Sequence, residues 1–134
     1  MKRLVVATAG LIGSVAVADD LRGVDRLLCA TAEVIICAEG GDCFTIPAWE
    51  IDVPEFIVID IKNKMLSTTR ASEQNRTTPI AALSRTDGNI YLQGIEGGRA
   101  FSFVIHEETG HVTVAVSRDG LTVTVFGVCT DADI

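Results

Sequence analysis

Residues 94–102 read GIEGGRAFS, with two glycines between Glu96 and Arg99 and apolar residues outside them. Both central positions of a type I′ turn need positive φ, which glycine adopts without steric cost, so the pair predicts a two-residue hairpin. Glu96 then faces Arg99, Ile95 faces Ala100, Gly94 faces Phe101, Leu92 faces Phe103 and Ile90 faces Ile105, with Gln93 opposite Ser102. Apolar meets apolar and polar meets polar. A slip of one residue would exchange the two faces, so the pattern selects this register. Phe101 is placed to cover the gap left by Gly94, and Glu96 and Arg99 are expected as a surface ion pair of small energetic weight.

The same reading extends in both directions. Asp87-Gly88 is a second two-residue turn that sets Leu83 against Leu92 and Ala81 against Gly94. Glu107-Glu108-Thr109-Gly110 makes a four-residue loop, pairing Ile105 with Val112 and Phe103 with Val114. Ser117-Arg118-Asp119-Gly120 repeats that device, pairing Val116 with Leu121 and Val114 with Val123. Five antiparallel strands follow, at 79–86, 89–96, 99–106, 111–117 and 121–129, sharing one apolar face. Upstream, 56–61 alternates, the chain returns at 66–70, and 29–37 is β-prone but alternates poorly because Glu33 intrudes and Ile35 and Ile36 are adjacent. Residues 47–54 read as an irregular connection or one helical turn. The fold class is therefore all-β, an antiparallel meander of about eight strands. Closure into an up-and-down barrel would hide the apolar face and remove both edges, with a two-sheet sandwich as the alternative. Phe, Leu and Ile on the inner face would fill most of so small a barrel, so no large cavity is expected.

The N-terminus determines where this domain works. Met1-Lys2-Arg3 is a basic head, Leu4 to Ala18 carries no charge, and Ala16-Val17-Ala18 precedes Asp19-Asp20. That is the pattern of a cleaved export signal over 1–18, followed by a single β-barrel domain over 19–134. The apolar run is shorter than the ~20 residues a spanning helix needs, so the mature chain carries no expected transmembrane segment. The full chain has 11 basic and 18 acidic side chains, net −7, and loss of Lys2 and Arg3 takes the balance to −9. Such a surface repels nucleic acid and attracts cationic partners.

All four cysteines fall in the exported part, and an even count in an oxidising compartment predicts two disulfides. Three pairings are open. The glycine-bearing loop between Cys37 and Cys43 favours joining those two, which leaves Cys29 with Cys129 and ties the first strand to the last. Their spacings do not match zinc knuckles.

Chemistry-bearing residues are few. His106 and His111 are the only histidines, and the register sets them opposite each other on the outer face, beside Glu107 and Glu108. Two imidazoles and a carboxylate (His106, His111 and Glu107) form the candidate zinc or copper site; the bland alternative is a solvated hairpin tip. Ser102 lies about 13 Å along the strand from His106, out of reach of a base, and no nucleophile elbow or phosphate loop is present. No catalytic residue and no cofactor are expected. Asn75-Arg76-Thr77 fits a glycosylation pattern, which in a bacterial exporter is only a polar loop. Trp49, the only tryptophan, is the candidate binding contact, with a plug over one barrel end as its alternative.

Cys29, Cys37 and Cys43, FIVID at 56–60, RTTPI at 76–80, LQGIEGGRAFSFVI at 92–105 and FGVCT at 126–130 together resemble a group of small exported bacterial proteins with no assigned activity. The resemblance implies a shared fold and an exported life, periplasmic or secreted, and brings no catalytic residues. The expected architecture is also similar in outline to periplasmic lysozyme inhibitors, without their inhibitory loop motif. The functional expectation is an exported binding or inhibitor-type barrel with a cationic protein partner. A metal or small-molecule binder, using the His106/His111 tip or the barrel mouth, is the alternative. An envelope structural protein is the third.

Overall fold

The computed structural model describes residues 20–133, so the export signal expected over 1–18 lies outside the described residues. Ten strands form one antiparallel sheet: β1 (Arg26–Ala38), β2 (Cys43–Thr45), β3 (Phe56–Asp60), β4 (Met65–Thr68), β5 (Thr77–Pro79), β6 (Ala82–Thr86), β7 (Asn89–Glu96), β8 (Arg99–His106), β9 (His111–Arg118) and β10 (Leu121–Asp131). Their spatial order is β5-β4-β3-β1-β10-β9-β8-β7-β6, with β2 pairing the far half of β1. The all-β meander expected from the turns is present, with ten strands rather than eight because the three-residue β2 and β5 add to the count.

The sheet curls strongly into a half-barrel whose hydrogen-bonded order ends at β5 and β6. These two edges are consecutive in the chain. The expected strand 79–86 breaks between them, because Ile80 donates its amide to the Lys64 carbonyl at 2.9 Å and Ala81 donates to the Gln93 carbonyl at 2.9 Å. Two neighbouring amides thus serve opposite sides of the seam.

The central hairpin forms in the expected register, from Glu96 opposite Arg99 to Asn89 opposite His106, with Gly97 and Gly98 at φ 55° and 78°. A Cβ on Gly94 would lie 2.4 Å from the Phe101 ring, so the ring does occupy the space glycine leaves. Leu92 and Phe103 are both buried, on one face. The last hairpin corrects the sequence reading. Leu121 faces Arg118, not Val116, and Val123 faces Val116, not Val114. The chain turns tightly at Asp119-Gly120 instead of through four residues; because the displacement is two residues, the apolar face is unchanged.

The poor alternation of 29–37 also has a cause. The register of β1 against β10 shifts between Thr31 and Glu33, a bulge that places an extra residue on β1. Opposite it, a Cβ on Gly127 would come within 2.2 Å of the Ala30 carbonyl oxygen, so β10 crosses here only with glycine. Beside the bulge, Cys29 faces Cys129 and is bonded to it, while Cys37 is bonded to Cys43. Of the three pairings open to the sequence, this one is formed. Two disulfides indicate an oxidising, non-cytoplasmic environment. Among the described residues no helix is long and apolar enough to cross a membrane.

A candidate binding cavity at the open end of the sheet

Strand β8 runs from Arg99 to His106, roughly 26 Å at the rise of an extended chain, and joins two unlike ends of the molecule. One end is closed by the segment that precedes β1. Leu21 is 0% exposed, and its amide donates to the Glu107 carbonyl at 2.7 Å. Arg85, arriving on β6, fastens this segment with every arm of its guanidinium. Nε donates to Glu107 Oε2 at 3.0 Å, Nη1 to the Val24 carbonyl at 2.9 Å and Nη2 to the Leu21 carbonyl at 2.6 Å. Glu107 is therefore buried inside the fold, with its side chain turned to Arg85 and away from solvent.

That placement separates the three residues grouped as a metal site. His106 and His111 are exposed on the outer face, where Nδ1 of His106 lies 3.1 Å from the Thr109 hydroxyl and accepts the Thr109 amide at 3.3 Å. The imidazole completes the hairpin loop. Glu107 is not with them, and among the described residues no group of three His, Cys, Asp or Glu is arranged to hold a metal ion.

At the other end the inner face is not filled. A cavity of about 140 Å³ lies between the two halves of the sheet, walled by Phe101, Phe103, Val114, Val125, Ile57 and the Cys29 side of β1. Phe101 and Phe103 meet edge to face, with ring centroids 5.7 Å apart. Strand β8 supplies both rings because alternate residues share a face. The turn after Ala48–Ile51 roofs the space with Ile51 and Val53, which pack against the core, while Trp49 points away and is 72% exposed. At that exposure Trp49 does not plug the end of the curl. It stands in a shallow groove with Phe56, Glu33 and Glu55.

The mouth of the cavity is charged. Arg76, Glu96, Arg99 and Asp52 border it. The surface pair expected between Glu96 and Arg99 does not form. Both Glu96 carboxylate oxygens instead accept from Arg76 Nη2, at 3.2 and 3.3 Å, and Nη1 of the same arginine donates to the Asp52 carbonyl at 3.0 Å. Arg99, still opposite Glu96 in the ladder, is left with a solvent-inaccessible Nε that has no hydrogen-bond partner. An unmet buried donor costs about 1–3 kcal/mol, which makes it an unusual feature of a folded chain.

Sequence reading assigned neither Arg76 nor Arg99 to a site. The Asn75-Arg76-Thr77 triplet drew attention only as a glycosylation pattern, and nothing local indicates that Arg76 reaches a carboxylate 20 residues downstream. The available signal was the alternation along β8, which puts Arg99 on the same face as Phe101 and Phe103. No family model, no curated protein and no solved structure matches this chain.

Proposed function

We propose that this is an exported binding protein, periplasmic or secreted after loss of the signal over 1–18, that holds a small, largely apolar molecule inside the curled sheet. The observation that carries the reading is the apolar cavity of about 140 Å³, open at a polar mouth. Its size is close to the ~150 Å³ apolar cavity that admits one benzene and lies below the ~300 Å³ at which drug-sized sites begin. A cargo of one ring or one short acyl chain fits that scale.

Methyl resonances of Val114 and Val125, followed during titration with toluene, test this reading. Saturable shifts, lost when Val114→Phe fills the space, are the expected result. Near saturation the melting temperature should rise, since ligand at 100 times Kd adds about 2.7 kcal/mol. Unshifted valines up to the solubility limit of toluene would remove the proposal.

A second reading, a cationic protein partner, is supported by the Trp49 groove. An exposed indole beside Phe56, Glu33 and Glu55, on a chain of net charge −7, suits a Lys- or Arg-bearing surface. Trp49 emission titrated with an arginine-rich peptide should change at low salt and recover at raised salt. An identical response in a Glu33→Gln/Glu55→Gln variant would dismiss the groove.

A further inference from the structure

We infer that Arg99 recognises the polar end of the ligand, and that the cavity takes small monocarboxylates carrying one ring or a short acyl chain. The inference rests on the cavity reading above and adds the chemical class.

Three features point to it. The first is Arg99 itself, which borders the cavity mouth with no hydrogen-bond partner for its guanidinium among the described residues, its Nε shielded and unmet. The terminal Nη1 and Nη2 are therefore the donors a ligand at the mouth can reach, and among the described residues no protein acceptor occupies them. The second is the way the nearby charges are used. Arg76 engages both oxygens of Glu96 and anchors the Asp52 carbonyl, so the one carboxylate facing Arg99 in the ladder is already committed elsewhere. Among the described residues Arg99 has no ion pair. The third is direction along the strand. Arg99, Phe101 and Phe103 lie at i, i+2 and i+4 of β8 on one face, at steps of about 6.6 Å. An acceptor on the guanidinium therefore places the next few carbons of its owner over Phe101 and the following ones toward Phe103.

A guanidinium fork is matched in shape by a carboxylate, which can accept two parallel N–H bonds. Charge argues for one negative charge rather than two. Glu96 and Asp52 stand at the same mouth, and the whole chain is acidic, so a phosphate dianion meets more repulsion than a monocarboxylate. The cavity volume limits the apolar part to about the size of benzene or a six-carbon chain.

Hexanoate, 1-hexanol, hexyl phosphate and hexylamine, titrated against the Val114 and Val125 methyl resonances, separate the possibilities. Wild-type protein should bind hexanoate at least about tenfold more tightly than hexanol, the ratio a charge-assisted hydrogen bond confers. In Arg99→Gln, hexanoate should fall to the level of hexanol, while toluene, which has no polar end, still shifts the two valines and so shows that the variant is folded with its cavity intact. Arg99→Lys should recover part of the ratio. Equal binding of hexanoate and hexanol by the wild type overturns the role of Arg99 and leaves the cavity reading standing. Tighter binding of hexyl phosphate or hexylamine than of hexanoate overturns the carboxylate class. If none of the four binds, the cavity reading and this inference fall together.

Discussion

Two arginines at opposite ends of the sheet do contrasting work. Arg85 donates from Nε, Nη1 and Nη2 to the Glu107 carboxylate and the carbonyls of Val24 and Leu21, lies 3.5 Å from the Asp25 carboxylate, and so closes one end. Arg99 lies at the mouth of the other end with Nε unmatched, above a cavity lined by Phe and Val. The closed end is organised as structure: a fully buried leucine, a paired charge, and backbone carbonyls met by guanidinium. The open end carries a shielded donor that no group of the described residues meets. On the cavity reading proposed above, the ligand sits at that open end.

The largest predicted effect removes what both ends share. Cys29 and Cys129 are 100 residues apart in sequence and join the first strand to the last, while Cys37 and Cys43 are separated by 6. In the chain-entropy account the long closure contributes about 4–5 kcal/mol and the short one about 2 kcal/mol. Urea denaturation of Cys29→Ser/Cys129→Ser should show the larger loss, and the bound-probe signal should vanish with it. Cys37→Ser/Cys43→Ser should lose roughly half as much and keep the cavity. Equal losses would mean that loop closure is not how the long bond acts.

Next comes the contrast itself. Arg85→Met leaves the Glu107 carboxylate buried without its cation, and loss of one partner of such a pair costs about 3–5 kcal/mol. Arg99→Met removes an unmet donor, so its effect should lie within about 0.5 kcal/mol of zero or be slightly stabilising. Parallel urea melts of the two variants compare the ends directly. Similar destabilisation by both would erase the distinction.

These two arginines also mark the limit of what could be read from sequence. Turn chemistry is local, so Asp87-Gly88 and Gly97-Gly98 revealed three neighbouring strands and their pairing, down to Phe101 over Gly94. At Ser117–Gly120 two turn lengths fit the same residues, and the shorter one formed; alternation could not decide, since both keep the apolar face inward. Strand β1 was obscured by its bulge, which breaks the period-two pattern at Ala32. The site was still less legible. Which carboxylate belongs to which arginine depends on side chains from β6, β7, the β8–β9 loop and the segments before β1 and β5 meeting in space, and spacing along the chain carries no trace of that. Glu107 shows the same effect. Beside two histidines in sequence it reads as a ligand; in three dimensions it belongs to Arg85.

The smallest predicted effect asks whether the closed end also governs acid sensitivity. Asp60 ends β3 on that side, next to Ile61, whose amide donates to the Asp25 carbonyl at 2.8 Å. Its carboxylate accepts the Asn63 amide at 3.0 Å and the Asn63 side-chain Nδ2 at 2.8 Å. The backbone donor first, the side-chain donor second, and the more distant charges of Arg26 and Lys62 last hold its pKa below the ordinary value. A lowered carboxylate stabilises the fold fully above its unfolded pKa, about 3.9, and that contribution drains away as pH falls from there through the folded value. Asp60→Asn should therefore be less stable than wild type near pH 6 by about 0.5 kcal/mol or less, because solvent screens so accessible a turn. The gap should narrow as the pH falls below the unfolded value of about 3.9. A gap that stays constant over the same interval would show that the ionised form of Asp60 contributes nothing at the β3–β4 turn. The acid response of the closed end would then have to come from groups other than this carboxylate.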